Sequence, residues 1–149
     1  MKNEMKAISM VIVGVLAVGA AKLAVAGGGS LMVPTAELKW NDVPGFTGVQ
    51  LATADGDPGK GPAHFFLKFT AGFAAPLHHH TANHSGTVVA GTLALTVNGK
   101  ETILPPGSFF EFSNKTPHMT KCEAGADCVL AMDVRGKWDV VPEKAATKK

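Results

Sequence analysis

Short hydrophobic segments, many with alternating polar residues, follow one another along the chain, and turn residues separate them. Residues 64–70 form one such segment, which is dense in phenylalanine, and residues 128–134 form another. After residue 36, turn signals recur about every 8–12 residues, which is typical of an all-β sandwich or barrel. That region has no amphipathic helical periodicity and no internal repeat. The pattern therefore predicts a single all-β domain.

The same pattern gives approximate bounds for the strands. The predicted strands are residues 38–40, 47–53, 64–70, 77–80, 86–90, 92–97, 101–104, 108–112, 118–122 and 128–134. Residues 54–62 have the composition of a loop, and residues 71–76, mostly Ala, Gly and Pro, are predicted to turn the chain. Asn98-Gly99 lies between two predicted strands and is a strong hairpin signal.

The N-terminus has the features of a segment that directs export. Lysines supply positive charge within residues 1–6, residues 8–21 form an apolar run, and Ala24-Val25-Ala26 places small residues before a cleavage site. A membrane anchor is the alternative, but this run has only 14 residues, whereas a bilayer requires about 20. We therefore expect residues 1–26 to be a cleaved secretory signal peptide.

Export determines the expected organisation and compartment of the chain. After the signal peptide, we expect a flexible arm over the Gly-rich residues 27–36, a barrel over residues 37–142 and a C-terminal tail over residues 143–149. The protein is expected to be periplasmic or secreted, without stable membrane insertion after cleavage. Because the leader carries three lysines and one glutamate, the rest of the chain has equal numbers of basic and acidic residues. That balance leaves no electrostatic footprint for nucleic acid, which we do not expect as a partner.

The two cysteines, Cys122 and Cys128, are separated by five residues that are typical of a hairpin loop. In the oxidising compartment that export implies, a disulfide across this hairpin is the favoured interpretation. A pair of metal ligands is the alternative, but two thiols alone at this spacing do not match the usual paired-cysteine motifs.

All six histidines lie between residues 64 and 118, and three of them are consecutive. Because residues i and i+2 share a face of a strand, His78 and His80 can point to one side while His79 points to the other. His84 follows after a turn, and His118 begins a later predicted strand. These imidazoles would suit Zn, Cu, Fe, Ni or, with open positions, Mn. A solvated loop of histidines is the alternative explanation.

The spacings around these histidines resemble the two motifs of the cupin superfamily. The first motif is matched by Gly72, His78, His80, His84 and Gly91, and the second by Pro106, Gly107, Pro117 and His118. The wider sequence is similar to a small uncharacterised bacterial family of single-barrel cupins. That similarity is carried by GKGPAHFFLKFTAGF, HTANHSGTVVAGTL and PPGSFFEFSNKTPHMTKC. The resemblance implies a single jelly-roll β-barrel with a metal ion in its mouth.

By matching position, the resemblance implies that His78, His80 and His118 are ligands of one divalent transition metal, which is Zn, Cu, Mn, Fe or Ni. Position 84 departs from the family, because His84 stands where most cupins carry Glu. Either His84 is a fourth ligand or it turns aside and leaves three histidines. Four neutral imidazoles leave both positive charges of the metal uncompensated, so the site should favour an anionic ligand such as an enolate or a carboxylate.

Glu111 is the candidate catalytic residue, because it lies on the predicted strand that leads to His118 and would bring a negative charge near the site. The alternative is that Glu111 points outward from a strand in which its neighbours are Phe109, Phe110 and Phe112. We expect structural positions for the remaining candidates. His79 should point outward, His64 should lie at the barrel rim, and Trp40 and Trp138 should pack the ends of the barrel.

Three functions are compatible with these features. The first is an O₂-dependent or Lewis-acid enzyme, with the dioxygenase-like or isomerase-like chemistry that the resemblance implies, acting on a small enolisable or carboxylate substrate. The second is a non-catalytic exported module that binds or senses a metal or a small ligand. The third is a metal-free interaction barrel, which the retained histidines disfavour. A small molecule is the expected partner in the first two cases, and a homodimer is compatible with all three.

Overall fold

Eleven strands make up about half of residues 29–144, the part of the chain that this computed structural model describes. A 3-10 turn, Thr35–Glu37, precedes them. The strands are β1 (Asn41–Asp42), β2 (Val49–Gly56), β3 (Ala63–Phe69), β4 (Ala74–His79), β5 (His84–Ala90), β6 (Leu93–Val97), β7 (Lys100–Leu104), β8 (Phe109–Phe112), β9 (His118–Cys122), β10 (Cys128–Val134) and β11 (Val141–Pro142). The expected signal peptide and the last five residues of the expected tail lie outside the described residues.

The strands form two antiparallel sheets. The six-stranded sheet has the order β1-β2-β3-β10-β5-β8, and the five-stranded sheet has the order β11-β4-β9-β6-β7. Every pairing within them is antiparallel. The fold is therefore all-β with almost no helix in the described part, as the hydrophobic pattern predicted, and it is consistent with a jelly roll.

Strict alternation of burial places one face of β3, β9 and β10 in the core between the sheets. In β10, every second residue from Cys128 to Val134 is buried, and β3 has the same pattern from Ala63 to Phe69. In β9, the buried positions are His118, Thr120 and Cys122. Because side chains alternate between the two faces of a strand, His118 shares its face with the core.

Two local features have the backbone that their sequences predict. Asn98 and Gly99 both have positive φ, 51° and 77°, as a type I′ hairpin turn requires, and they connect β6 to β7. In β5, Gly86 faces Phe110 and Met132 so closely that a Cβ atom there would collide with both side chains. The absence of a side chain at position 86 therefore allows the Phe110 ring to pack into the core.

Several predicted strand bounds were wrong. Residues 38–40 are not a strand, since pairing begins at β1, and β2 extends to Gly56 into the predicted loop. The predicted turn over residues 71–76 contains the start of β4. Ala74 and Ala75 have low strand propensity, but they pair with Lys121 and Thr120 of β9, so tertiary pairing overrides local preference.

The irregular register between Ala75 and His78 accommodates Pro76, which has no N–H to donate to a ladder. The short strand β11 had no signal in the hydrophobic pattern. It exists because Val141 and Pro142 pair with His79 and His78 of β4.

Cys122 and Cys128 form a disulfide, with Cα atoms 5.8 Å apart. It joins β9 in the five-stranded sheet to β10 in the six-stranded sheet, and both cysteines are fully buried. The favoured disulfide is therefore confirmed, but the expected hairpin is wrong, because β9 and β10 lie in different sheets and do not pair with each other. Over residues 29–144, no helix is long and apolar enough to cross a membrane.

Candidate metal centre

The four histidines of the two sequence motifs come from three strands and lie together at one end of the core. His78 is in β4 and His80 directly follows it, while His84 begins β5 and His118 begins β9. All four are buried, with 2–6% of their surface exposed. His78 and His118 are direct partners in the five-stranded sheet, whereas His84 belongs to the opposite sheet. Closure of one sheet over the other is what assembles the cluster.

Three of the four histidines are close enough to share one ion. Each of His78, His80 and His118 offers a ring nitrogen, and these three atoms lie within 4.8 Å of one another. His84 is adjacent, with its ring centroid 4.7 Å from that of His80 and 6.3 Å from that of His118. The structure therefore forms a histidine triad that is able to bind a metal ion, with a fourth imidazole beside it.

One ring nitrogen of each histidine is held by a backbone carbonyl. His78 Nδ1 donates to the Pro76 carbonyl at 2.7 Å, His84 Nδ1 to the Ala82 carbonyl at 3.1 Å, and His118 Nδ1 to the Thr116 carbonyl at 3.0 Å. In each case the acceptor lies two residues earlier. His80 Nδ1 donates instead to the carbonyl of Asp139. Since a carbonyl can only accept, the proton of each neutral ring lies on Nδ1, and Nε2 keeps its lone pair.

The surroundings of the cluster keep the rings neutral. Burial lowers the pKa of His80 to about 3 and that of His118 to about 4, against the opposing effect of their backbone hydrogen bonds. Burial also lowers the pKa values of His78 and His84. Neutral imidazole is the form that binds metals, so the cluster is in its ligating state at neutral pH.

Two aromatic rings stack on the histidines and limit how they can rotate. Trp138 lies parallel to His80 with ring centroids 3.9 Å apart, and it meets His84 edge-on at 5.0 Å. Phe112 lies parallel to His118 at 4.0 Å. Trp138 was expected only to pack an end of the barrel, and its role beside two histidines had no signal in the sequence.

Trp138 belongs to a C-terminal segment, residues 137–143, that crosses the cluster. Besides accepting from His80, Asp139 accepts the backbone N–H of Thr81 through Oδ1 at 2.8 Å. Glu143 continues the pairing of this segment with β4, because its N–H donates to the Leu77 carbonyl at 3.0 Å. These contacts join residues about 60 positions apart in the chain, so spacing arguments missed them.

The other candidate residues lie away from the cluster. His79 points to the other side of β4, where Nδ1 donates to Glu143 Oε1 at 2.6 Å. His64 is on the exposed face of β3, 3.2 Å from Asp133, in an open surface groove of about 400 Å³. The ammonium of Lys68 lies over the Trp40 ring, 4.6 Å from the ring centroid.

Glu111 does not join the histidines. In β8 it is exposed and alternates with buried Phe112, and its direct partner in β5 is Ser85 rather than His84. Its side chain therefore lies on the outer face of the six-stranded sheet, opposite to the face that carries His84 and Phe112. The geometry favours the outward alternative for Glu111 over a place beside the histidines.

The donor set fits a transition metal. It consists of buried neutral imidazoles whose orientation is secured by backbone acceptors, and metal-binding histidines characteristically donate their second nitrogen in this way. Imidazole suits Zn, Cu, Fe and Ni, and open positions admit Mn. His78, His80 and His118 are the residues that would hold the ion, and His84 is placed next to them.

The family model described as "Cupin domain" matches residues 65–134, which span β3 to β10 and contain all four buried histidines. The chain belongs to the cupin superfamily. The resemblance recognised from the two histidine motifs is therefore confirmed. A comparison with curated proteins finds no match.

Solved structures share this cupin fold. The polyketide cyclase RemF from Streptomyces resistomycificus is 17% identical, with a TM-score of 0.66 over 77% of this chain and 86% of that one. KdgF from Halomonas sp. is 23% identical, with a TM-score of 0.59 over 71% of this chain and 94% of that one. A predicted oxalate decarboxylase from Thermotoga maritima is 16% identical, with a TM-score of 0.60 over 71% and 99%. At these identities the comparison establishes the fold.

Proposed function

We propose that this cupin binds one divalent transition metal through His78, His80 and His118, with His84 as a fourth ligand, and that the metal centre takes a small anionic molecule. The observation that carries the proposal is the hydrogen bonding of the four rings. Each Nδ1 is held by a backbone carbonyl inside a buried cluster, which leaves the four Nε2 atoms to bind an ion. A structural histidine would need no such arrangement in all four rings.

Metal titration of matched variants tests this proposal. Replacement of both His78 and His80 by Ala should abolish zinc binding, because two of the three clustered donors are lost. Replacement of His79, whose ring points to Glu143 instead, should preserve binding and serves as the control. Undiminished zinc binding by the double variant would refute the metal centre. Elemental analysis of protein from its native compartment would identify the ion among Zn, Cu, Mn, Fe and Ni.

A metal held here would supply a Lewis acid for a carbonyl or carboxylate oxygen. The chain itself supplies orientation and exclusion of water, since Trp138 and Phe112 cover the imidazoles with aromatic surface. An enzyme acting on a small enolisable or carboxylate substrate is compatible with this arrangement. The cupin neighbours include proteins with enzymatic names, among them a polyketide cyclase, but their low identity transfers no reaction to this chain.

A non-catalytic binding module is the second candidate, and a specific observation favours it. Glu111 faces outward. The cavity that borders His78 and His80 has no Asp or Glu among its described lining residues, so its wall offers no carboxylate as a general base. Turnover of enolisable acids, with or without O₂ consumption, by stoichiometrically metal-loaded protein would support the enzyme. Saturable binding of such acids without turnover would support the module.

We also propose that the protein is exported. The disulfide between Cys122 and Cys128 fits an oxidising compartment, and the N-terminal residues have the composition of a signal peptide. N-terminal sequencing of the protein from its native host should begin at Gly27. Sedimentation of the same material would test the expected homodimer.

A further inference from the structure

A small cavity of about 60 Å³, partly open to solvent, borders the histidine cluster, and His78 and His80 form part of its wall. We propose that this cavity receives the hydrocarbon tail of a short monoanion, with a tail of two or three carbons, whose ionised head lies against the histidines. The inference rests on the proposed metal centre and specifies the class of ligand that it takes.

The wall of the cavity on the six-stranded sheet is apolar. It consists of Val49 from β2 together with Leu67 and Phe69 from β3, all of them buried. Phe46 and Phe73, from the turns before β2 and β4, complete this side, and Phe73 stacks on Phe69 at 4.9 Å. A ligand group that enters here exchanges water for hydrocarbon and aromatic surface, which favours an apolar group.

The opposite wall adds very little polarity. Ala75 and Thr120 line it from the five-stranded sheet, and Trp138 and Val140 line it from the C-terminal segment. Apart from the two histidines, the Thr120 hydroxyl and the Trp138 indole N–H are the only side-chain polar groups of the described lining residues, and none of those residues is Lys, Arg, Asp or Glu. A polyhydroxylated tail would lose its hydration without gaining partners, which is unfavourable.

The volume limits the length of the tail. An apolar protein cavity of about 150 Å³ accommodates benzene, with its six carbons. By proportion, about 60 Å³ holds two or three carbons. A tail of this length reaches from a head at the histidines into the cavity, whereas a benzene ring or a six-carbon acid is too large to enter without displacing the walls.

The sign of the head follows from the charges around the cluster. The four imidazoles are neutral donors, and the nearest carboxylate of the C-terminal segment, that of Asp139, already accepts the Thr81 N–H. The imidazoles would therefore compensate neither positive charge of a divalent ion, and the ionised Asp139 carboxylate near His80 supplies only one negative charge. An anion is the ligand that best neutralises the remaining positive charge.

Binding of a series of acids to the zinc-loaded protein tests this inference. Trp138 lines the cavity, so its fluorescence, measured in a Trp40→Phe background, reports occupancy. From formate through acetate and propionate to butyrate, affinity should rise about fourfold with each added carbon. Hexanoate and benzoate should bind roughly tenfold or more weakly than butyrate. Equal affinities along the series, or tightest binding by benzoate, would overturn the inference.

Two probes of similar size to butyrate test polarity and charge. 3-Hydroxypropionate replaces the terminal methyl group with a hydroxyl and should bind roughly tenfold more weakly, because the hydroxyl is desolvated in an apolar wall. Butylamine keeps the hydrocarbon tail and reverses the charge, so it should not compete with butyrate. If 3-hydroxypropionate binds as tightly as butyrate, the apolar tail site is refuted. If butylamine binds as tightly as butyrate, the anionic head is refuted.

A cavity-filling variant locates the tail. Ala75→Leu should reduce butyrate affinity roughly tenfold, move the optimum to acetate and leave zinc affinity unchanged. Ala75→Val should produce the same shift to a smaller extent if the leucine variant does not fold. Ala131→Leu, on the outer face of β10, is the matched control. Absence of zinc binding in the wild type would refute the metal centre itself. Intact zinc binding in the Ala75 variants with an unchanged preference for tail length would refute only this inference.

Discussion

At the scale of single residues, His84 distinguishes this chain most clearly from the common cupin motif, which has Glu at the corresponding position. Its ring is buried, donates to the Ala82 carbonyl and packs 4.7 Å from the ring of His80. It nevertheless lies outside the tightest group of three donors. Substitution of this single residue therefore decides between three and four protein ligands.

We predict that His84→Ala lowers zinc affinity by about tenfold or more. Removal of a residue that only orients a metal ligand already costs about tenfold, and removal of a ligand should cost at least as much. His84→Glu should retain one zinc per chain, because a carboxylate is a competent ligand, and should weaken carboxylate binding, because it cancels one positive charge. Competition with a chelator measures the affinities. An unchanged zinc affinity in His84→Ala would assign the site to three histidines.

The pKa shifts of the cluster predict that the metal-free protein is sensitive to mild acid. Because burial lowers the pKa of His80 to about 3 and of His118 to about 4, the unfolded chain binds more protons than the folded one below pH 6.5. Stability should therefore fall as the pH decreases from about 6.5 towards 4. Each such histidine contributes a loss of about 1.4 kcal/mol per pH unit.

Urea unfolding of the metal-free protein at pH 7, 6 and 5 measures this loss. His80→Gln removes one of the shifted groups and should reduce the slope with pH, whatever its effect on stability at pH 7. A free energy of unfolding that stays constant between pH 7 and 5 in the wild type would contradict the prediction.

At the scale of elements, the C-terminal segment completes a site that the strands alone leave open. Its pairing with β4 continues the five-stranded sheet, and it brings Trp138 and the Asp139 carbonyl onto His80. The segment has only a two-residue strand, so side-chain contacts rather than a long ladder determine its position. One such contact is made by Asp139 Oδ1, which accepts the Thr81 N–H at 2.8 Å.

We predict that Asp139→Ala weakens zinc binding about tenfold, because the segment that orients His80 loses its anchor to Thr81. Asp139→Asn keeps an acceptor oxygen and should recover most of the affinity. Asp133→Ala removes a surface carboxylate paired with His64 and is the control. Equal zinc affinity in Asp139→Ala and the wild type would show that the segment does not orient His80.

At the scale of the whole molecule, the disulfide and the histidine cluster secure opposite ends of the same strands. His118 begins β9 and Cys122 ends it, a separation of about 13 Å at the usual rise of a strand. The disulfide connects the two sheets at one end, and the cluster draws residues from both sheets at the other. Stability and metal binding should therefore respond separately to reduction.

We predict that reduction lowers the free energy of unfolding by about 2 kcal/mol, the loop-closure effect expected for so short a loop. Urea unfolding of the metal-free protein with and without a phosphine reductant measures the difference. Zinc affinity of the folded, reduced protein should stay within about twofold of the oxidised value. A parallel loss of zinc affinity would show that the two ends are coupled.

Much of this cupin could be inferred from local patterns. Short hydrophobic segments separated by turn residues predicted the central strands, Asn98-Gly99 predicted the hairpin between β6 and β7, and the five-residue separation of the cysteines predicted the disulfide. Strand alternation predicted that His78 and His80 share a face, a short turn placed His84 nearby, and the resemblance to the second cupin motif added His118. Such features depend on residues that are close in the chain, where backbone geometry limits the outcomes.

The tertiary structure decided what depends on how the two sheets close. It turned Ala74 and Ala75 into a strand through pairing with β9, it placed Glu111 outside, and it brought Trp138 and Asp139 against His80. It also formed the apolar cavity from both sheets and the turns between them. No periodicity encodes these contacts, because they join segments tens of residues apart whose approach is determined by packing of the whole core.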